Sequence, residues 1–132
     1  MKLKYAFVCD SANISLQGNL NALGIFSNIN ASQYPVTFGR FFYVATIMFH
    51  GSEIGPHRFK LLFVNDSDKE IIPPVEGELN ATPQALNNNL LLELNGITFP
   101  NPGIYKFTLS VDNKLLGTES INVLIADRPL QQ

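Results

Sequence analysis

Residues 103–111 alternate apolar and polar side chains at every second position, a pattern that only a β-strand with one buried face satisfies. The two sets are Tyr105, Phe107, Leu109 and Val111 on one side, and Lys106, Thr108 and Ser110 on the other. Asp112 and Asn113 follow, and both residue types tolerate the positive φ that a tight hairpin turn requires. A second apolar series runs through residues 114–126, with Gly117 at the position of an expected β-bulge. Residues 103–126 are therefore predicted to form a β-hairpin.

Tyr105 stands two residues after Gly103, at the entry of this late strand. In immunoglobulin-like β-sandwiches, a tyrosine in such a place forms the tyrosine corner, where its hydroxyl bonds a backbone group beside the crossing between sheets. We expect the Tyr105 hydroxyl to do the same. The hairpin is thus assigned to the stability of the fold, and no catalytic role is predicted for it.

Strand-like segments recur along the chain near 2–9, 19–26, 40–50, 57–65, 70–80, 89–95, 103–111 and 114–126. Turn-forming residues separate them, and no long segment has helical periodicity. At most one short helical turn is expected near 82–87, because Thr82 can cap it and Pro83 suits its first position. The pattern predicts an all-β fold: one antiparallel β-sandwich domain over residues 1–132, immunoglobulin-like, with about seven to nine strands.

Composition excludes several functional classes. Hydrophobic residues make up 45% of the 132 residues and charged residues 15%, which is too apolar for a disordered chain. No run approaches the ~20 apolar residues that a membrane-spanning helix needs. The net charge is −2 and the chain has no basic stripe, so neither nucleic acid nor membrane is an expected partner.

Cys9 is the only cysteine, so the chain cannot form an internal disulfide, which suits a reducing cytoplasm. The N-terminal run is interrupted by Lys4 and lacks a small-residue cleavage site, so it is interpreted as a first strand and not as a signal peptide. We therefore expect a cytoplasmic location. We also expect the N-x-S/T sequons of this Asn-rich chain to be unglycosylated; they begin at Asn13, Asn30, Asn65 and Asn80.

Several short motifs, in their order and spacing, resemble a family of small bacterial proteins catalogued only as a domain of unknown function. The motifs are Cys9–Ser15, Gly18–Asn21, Gly24–Phe26, Phe42–Ala45, Pro73–Glu78, and the run from Phe99–Pro100 to Val111–Asp112. The resemblance covers residues 3–126 and implies a compact domain, but it supplies no activity and no catalytic residues. One departure is Asn113, where the family pattern has Gly; Asn tolerates the same backbone.

His50 and His57 flank a short turn, and with Glu53 they suggest the alternative of a metal-dependent hydrolase. Whether the two rings meet depends on how strand 57–65 pairs with strand 40–50. The favoured register gathers the aromatic residues on one face, with Phe59 opposite Ile47, Leu61 opposite Ala45, and Phe63 opposite Tyr43. In that register the two histidines lie on opposite faces of the hairpin. We therefore predict no metal site, and two solvent-exposed histidines at a hairpin end.

Residues 40–49 are apolar on both faces, which exceeds what one buried face requires. The outward-facing residues of this strand and the next define a possible interaction face: Phe42, Val44, Met48, Leu62 and Val64. Two covers are possible for it. The segment Ser27–Gly39 can fold over it through its apolar side chains, or a second protein chain can pack there.

These observations predict a non-catalytic module that acts through protein association, as a homodimer or with an unknown protein partner. No catalytic residue, cofactor or metal ligand is assigned. A carrier that holds a small apolar molecule between the sheets is the first alternative, and the hydrolase around His50 and His57 is the second.

Overall fold

The computed structural model describes residues 1–126. Nine strands and one 3₁₀ turn make up the described chain. The strands are β1 (Lys2–Ile14), β2 (Leu20–Phe26), β3 (Asn28–Ala31), β4 (Val36–Met48), β5 (Gly55–Val64), β6 (Val75–Ala81), β7 (Asn87–Phe99), β8 (Gly103–Val111) and β9 (Lys114–Ile125). The 3₁₀ turn, Gly51–Glu53, connects β4 to β5.

The strands form a four-stranded sheet, ordered β2-β1-β4-β7, and a five-stranded sheet, ordered β3-β9-β8-β5-β6. Every pairing is antiparallel except the parallel pair of β3 and β9. The chain changes sheets on each side of β3, between β4 and β5, and on each side of β7. In one sheet β4 and β7 are neighbours, and in the other β5, β8 and β9 lie side by side. This is the arrangement of an immunoglobulin-like sandwich. The predicted all-β sandwich is confirmed.

Aromatic side chains from both sheets fill the centre of the layer between them. Phe107 of β8 stacks on Phe63 of β5, with ring centroids 4.0 Å apart and planes inclined by 7°. Across the layer, the same ring lies 5.2 Å from Tyr43 and 6.3 Å from Phe41, both on β4. All four side chains are buried. The centre of the space in which a carrier would hold an apolar ligand is therefore occupied by the protein's own rings.

The hairpin of β8 and β9 has the predicted form. Asp112 and Asn113 adopt positive φ angles of 52° and 64°, as a type I′ turn requires. The register shifts between Leu109 and Ser110, whose partners on β9 are Gly117 and Leu115, so the extra residue of the bulge lies beside the glycine.

The tyrosine corner is also confirmed. Tyr105 is 2% exposed, and its hydroxyl donates a hydrogen bond to the Asn101 carbonyl at 2.5 Å. The same hydroxyl accepts a longer bond, of 3.3 Å, from the Asn101 backbone N–H. The side chain thereby ties the start of β8 to the loop that brings the chain over from β7.

The predicted pairing of strand 40–50 with strand 57–65 is wrong. β4 pairs with β1 and β7 in one sheet, whereas β5 pairs with β6 and β8 in the other. The physical reason is the double apolar character of β4, which suits an interior strand with a long neighbour on each side. In place of a hairpin, the 3₁₀ turn carries the chain from one sheet to the other.

The segment Ser27–Gly39 does not cover the outer face of β4. Its first part forms β3, which the sequence analysis missed, and β3 pairs with β9 in the opposite sheet. Its four large apolar residues pack in the core between the sheets: Ile29, Tyr34, Val36 and Phe38.

The connection between β6 and β7 also differs from the prediction. Thr82 and Ala85 form an isolated β-bridge around a tight turn, in place of a helical turn. β6 and β7 belong to different sheets, so this turn carries the chain from one layer to the other. A helical turn would make that connection longer.

Candidate functional site

The outer face of the four-stranded sheet carries a continuous apolar surface. The strand registers place Phe7 of β1, Val44 of β4 and Leu91 of β7 in one row across the sheet. The next row contains Ile25, Cys9 and Phe42, and Tyr5 lies beside Phe7 with its ring centroid 6.0 Å away. We call this set the outer patch: Tyr5, Phe7, Ile25, Phe42, Val44 and Leu91.

Exposure decreases from the rim of the outer patch to its centre. At the rim, Ile25 is 62% exposed and Tyr5 is 41% exposed. Further in, the half-buried residues are Phe7, Phe42 and Leu91. At the centre, Val44 is 0% exposed. Val44 alternates with core residues along β4, so the patch side chains around it bury it from the outside. No other element within residues 1–126 packs over the patch as a further layer. The patch is thus an uncovered apolar surface, and only its central residue, Val44, is excluded from water.

The residues of the predicted interaction face fall on two different surfaces. Phe42, Val44 and Met48 lie on the outer face of the four-stranded sheet, with Met48 at its end opposite Lys2. Leu62 and Val64 lie on the outer face of the other sheet, opposite Thr108 and Lys106. The two groups cannot form one surface because β4 and β5 are not neighbours.

Sequence reasoning missed the patch residues on β1, β2 and β7. The N-terminal run of residues 2–9 was interpreted as a first strand, but the sequence did not indicate its place beside β4. The outer face of the five-stranded sheet provides the contrast, since β5 and β6 place charged side chains there: Arg58, Lys60, Glu76 and Glu78. The part of that face formed by these charged residues has the polar character of an ordinary solvated sheet, and the outer patch does not.

His57 occupies a closed hydrogen-bond arrangement at one end of the sandwich. Its Nδ1 lies 2.5 Å from the Asp112 carboxylate, and its Nε2 lies 2.7 Å from the Glu53 carbonyl. The ring stacks on Phe49 at 4.5 Å between centroids, and the side chain is 12% exposed. The expected exposed His57 is therefore wrong, because the end of β5 packs on the β8–β9 turn and on Phe49. His50 is exposed, as predicted.

Both acceptors around His57 lack a hydrogen to donate, so both ring nitrogens must donate. The arrangement is complete only when the imidazole is doubly protonated. The bond to Asp112, followed by the bond to the Glu53 carbonyl, raises the pKa of His57 above its ordinary value. The bond from His57, followed by that from the Arg58 N–H, lowers the pKa of Asp112.

While both ring nitrogens donate, His57 has no lone pair for a metal ion or for a general base. Across residues 1–126, no group of three or more His, Cys, Asp or Glu side chains is arranged to hold a metal. Cys9 is buried at the patch, its thiol donates to the Ser11 carbonyl at 3.3 Å, and burial raises its pKa. A buried thiol with a raised pKa is a weak nucleophile, so Cys9 acts here as a packing residue.

We expect the His57–Asp112 contact to make stability depend on pH. A raised pKa in the folded state means that the stabilisation is fully present below the unfolded-state pKa, about 6.5, and is lost as pH rises through the folded-state value. Denaturant unfolding should show that the free energy of unfolding falls from pH 6 to pH 8. The fall should be less than about 1 kcal/mol, because Asp112 is 42% exposed and solvent screens the pair.

The control for this prediction is a pair of substitutions. Asp112→Asn keeps a residue that tolerates the turn but removes the charge, so it should reduce the pH dependence. His50→Gln should leave the pH dependence intact. If the free energy of unfolding depends on pH equally in wild type and Asp112→Asn, the His57–Asp112 contact contributes nothing to the pH dependence.

No helix within residues 1–126 has the length and apolar character needed to span a membrane. The sequence model of a family of unknown function, DUF6941, matches residues 4–124. No curated protein matches the chain. Among solved structures, the chain is similar to an immunoglobulin-like protein, PA1606, from Pseudomonas aeruginosa, with 13% identity, a TM-score of 0.43, and coverage of 92% of this chain and 94% of that one.

Proposed function

The chain belongs to this family of unknown function, and we propose that it is a non-catalytic module that associates with protein through the outer patch. The observation that carries the proposal is an interior strand, β4, whose outer face is apolar and has no covering layer within residues 1–126. Burying a half-exposed apolar side chain contributes on the order of 1 kcal/mol, so several such side chains favour association.

A second copy of the chain is the partner that we propose. Arg40 and Glu93 both lie beside Phe42, with the Arg40 guanidinium 5.6 Å from the Phe42 ring centroid and Glu93 opposite Phe42 on β7. Within residues 1–126 the ion pairs are the Met1 amino group with Glu53, and His57 with Asp112, so Arg40 and Glu93 do not pair with each other. A copy related by a two-fold axis brings the Arg40 of one chain toward the Glu93 of the other, at the rim of a shared apolar centre.

The proposed dimer is a face-to-face packing of two four-stranded sheets. Side chains of the two patches interdigitate as they do between the layers of a sandwich. We place the module in the cytoplasm, where a lone buried thiol such as Cys9 stays reduced.

The test replaces Ile25 by Lys and measures association by sedimentation equilibrium. A charge in the dry interface is expected to raise the dissociation constant of the face-to-face step by about tenfold or more. Ile25 is 62% exposed in the single chain, so folding should be unaffected. The matched control is Leu115→Lys, at a residue 66% exposed on β9 of the other sheet, which should leave association unchanged. A wild type that sediments as Ile25→Lys does would refute the face-to-face dimer.

A further inference from the structure

Strand β7 is the long edge of the sandwich. The other edge strands are short: β2 spans Leu20–Phe26, β3 spans Asn28–Ala31 and β6 spans Val75–Ala81, whereas β7 spans Asn87–Phe99. A long edge presents a row of backbone N–H and C=O groups to another chain, and proteins usually obstruct it with lysine, proline or several charges. β7 has neither lysine nor proline, and Glu93 is its only charged residue.

The outer side of β7 has no strand beside it within the described part of the chain, because its strand partner is β4 alone. A kink limits the straight part of the edge. Up to Leu94 the buried side chains lie at even-numbered positions, as at Leu90. The next buried residue is Ile97, at an odd-numbered position, so the pattern shifts at Gly96, which has a φ of 62°. The straight part is therefore residues 87–95, and its midpoint is Leu91.

We propose that β7 pairs with β7 of a second copy, antiparallel and centred on Leu91. In this register Leu91 opposes the second copy's Leu91, and Leu90 opposes the second copy's Leu92, so apolar residues meet on both faces. Glu93 opposes Asn89, and Asn87 opposes Asn95. A register centred on Glu93 would bring two carboxylates together, and one centred on Leu90 would place Leu91 against Asn89.

The result is a continuous eight-stranded sheet made of two four-stranded sheets. Because Leu91 belongs to the outer patch, the two patches become one apolar surface across the two-fold axis. This edge contact uses the backbone of β7, whereas the face-to-face contact uses side chains across the sheet, so either can fail without the other.

Residues 87 and 95 provide a sharp test, because each Asn87 faces an Asn95 across the axis. Both side chains are exposed, and neither makes a side-chain hydrogen bond within residues 1–126. Within one chain they stand at opposite ends of the straight segment, too far apart to interact directly. Four double variants are compared: Asn87→Lys with Asn95→Glu, the reverse pair, both to Lys, and both to Glu.

The four variants are made with Ile25→Lys, which weakens the face-to-face contact equally in all four, and the dissociation constant is measured by sedimentation equilibrium. The dimer of a matched variant contains two opposite-charge pairs, and that of a like-charged variant contains two like-charge pairs. The dissociation constants of the matched variants should therefore be about tenfold lower than those of the like-charged variants. Circular dichroism and thermal melting check that each variant is folded. The same four charge combinations at Asn28 and Asn80, exposed on the edge strands β3 and β6, serve as the control and should show no such separation.

Two results would overturn the edge pairing. One is an Ile25→Lys protein that stays monomeric at about 1 mM, a concentration at which even weak association is visible. The other is a set of four double variants with the same dissociation constant. Because Ile25→Lys alone tests the face-to-face dimer, a failure of that contact and a failure of edge pairing give different sedimentation results.

Discussion

Replacing Val44 by Asp should lower the free energy of unfolding by about 3 kcal/mol or more. Val44 is 0% exposed even in a single chain, and its strand neighbours Phe7 and Leu91 help to cover it. A carboxylate there is enclosed by apolar side chains and is too short to reach water past them. The measurement is the denaturant midpoint in urea, interpreted with an unchanged slope.

Ile25→Asp is the control for this effect, since it places the same charge on the same outer face at a residue 62% exposed. Its cost should stay within about 1 kcal/mol, as for ordinary surface changes. If Val44→Asp and Ile25→Asp lower the free energy of unfolding equally, the centre of the outer patch is open to water and Val44 is not buried.

Replacing Tyr105 by Phe should lower the free energy of unfolding by about 1 to 3 kcal/mol. The change keeps the ring, which contacts Phe99 and Phe63 with centroids 5.0 and 6.0 Å away. It removes the hydroxyl that bonds the Asn101 backbone, and so leaves a partly buried carbonyl without its partner. Thermal and urea unfolding at neutral pH measure the loss.

Tyr5→Phe provides the comparison, because Tyr5 is 41% exposed on the outer patch and water can reach its hydroxyl. That change should alter the unfolding free energy by less than about 0.5 kcal/mol. An unchanged midpoint for Tyr105→Phe would mean that the corner contributes no stability, whatever its geometry.

Tyr105 and Val44 differ in how far along the chain their contacts lie. Tyr105 bonds a near neighbour, whereas Val44 is covered by distant strands. The tyrosine corner was predictable because its donor and acceptor are four residues apart, so the local chain determines where the hydroxyl points. The burial of Val44 was not predictable, because residues distant in sequence, on β1 and β7, cover it. The apolar run of residues 40–49 identified the strand and its apolar outer face, but it carries no information about which strands lie beside it.

The histidines illustrate the same limit at the other end of the sandwich. A hairpin of residues 40–65 was a reasonable local prediction, since adjacent strands often pair. The contact of His57 with Asp112 joins residues 55 positions apart, and it exists only because β5 pairs with β8. Consequently the two acceptors that favour a protonated His57 became evident only when β5, β8 and the 3₁₀ turn were in place.

By itself, the sequence determined the β class, the sandwich, the β8–β9 hairpin with its turn and bulge, and the tyrosine corner. Each of these depends on side-chain alternation, on backbone angles that few residue types adopt, or on bonds between near neighbours. The tertiary structure alone decided the partners of β4, the separation of Phe42 from Leu62, the outer patch and the long edge at β7. These features depend on strand pairing between distant segments, where many alternatives bury similar apolar area and only packing of the whole chain discriminates among them.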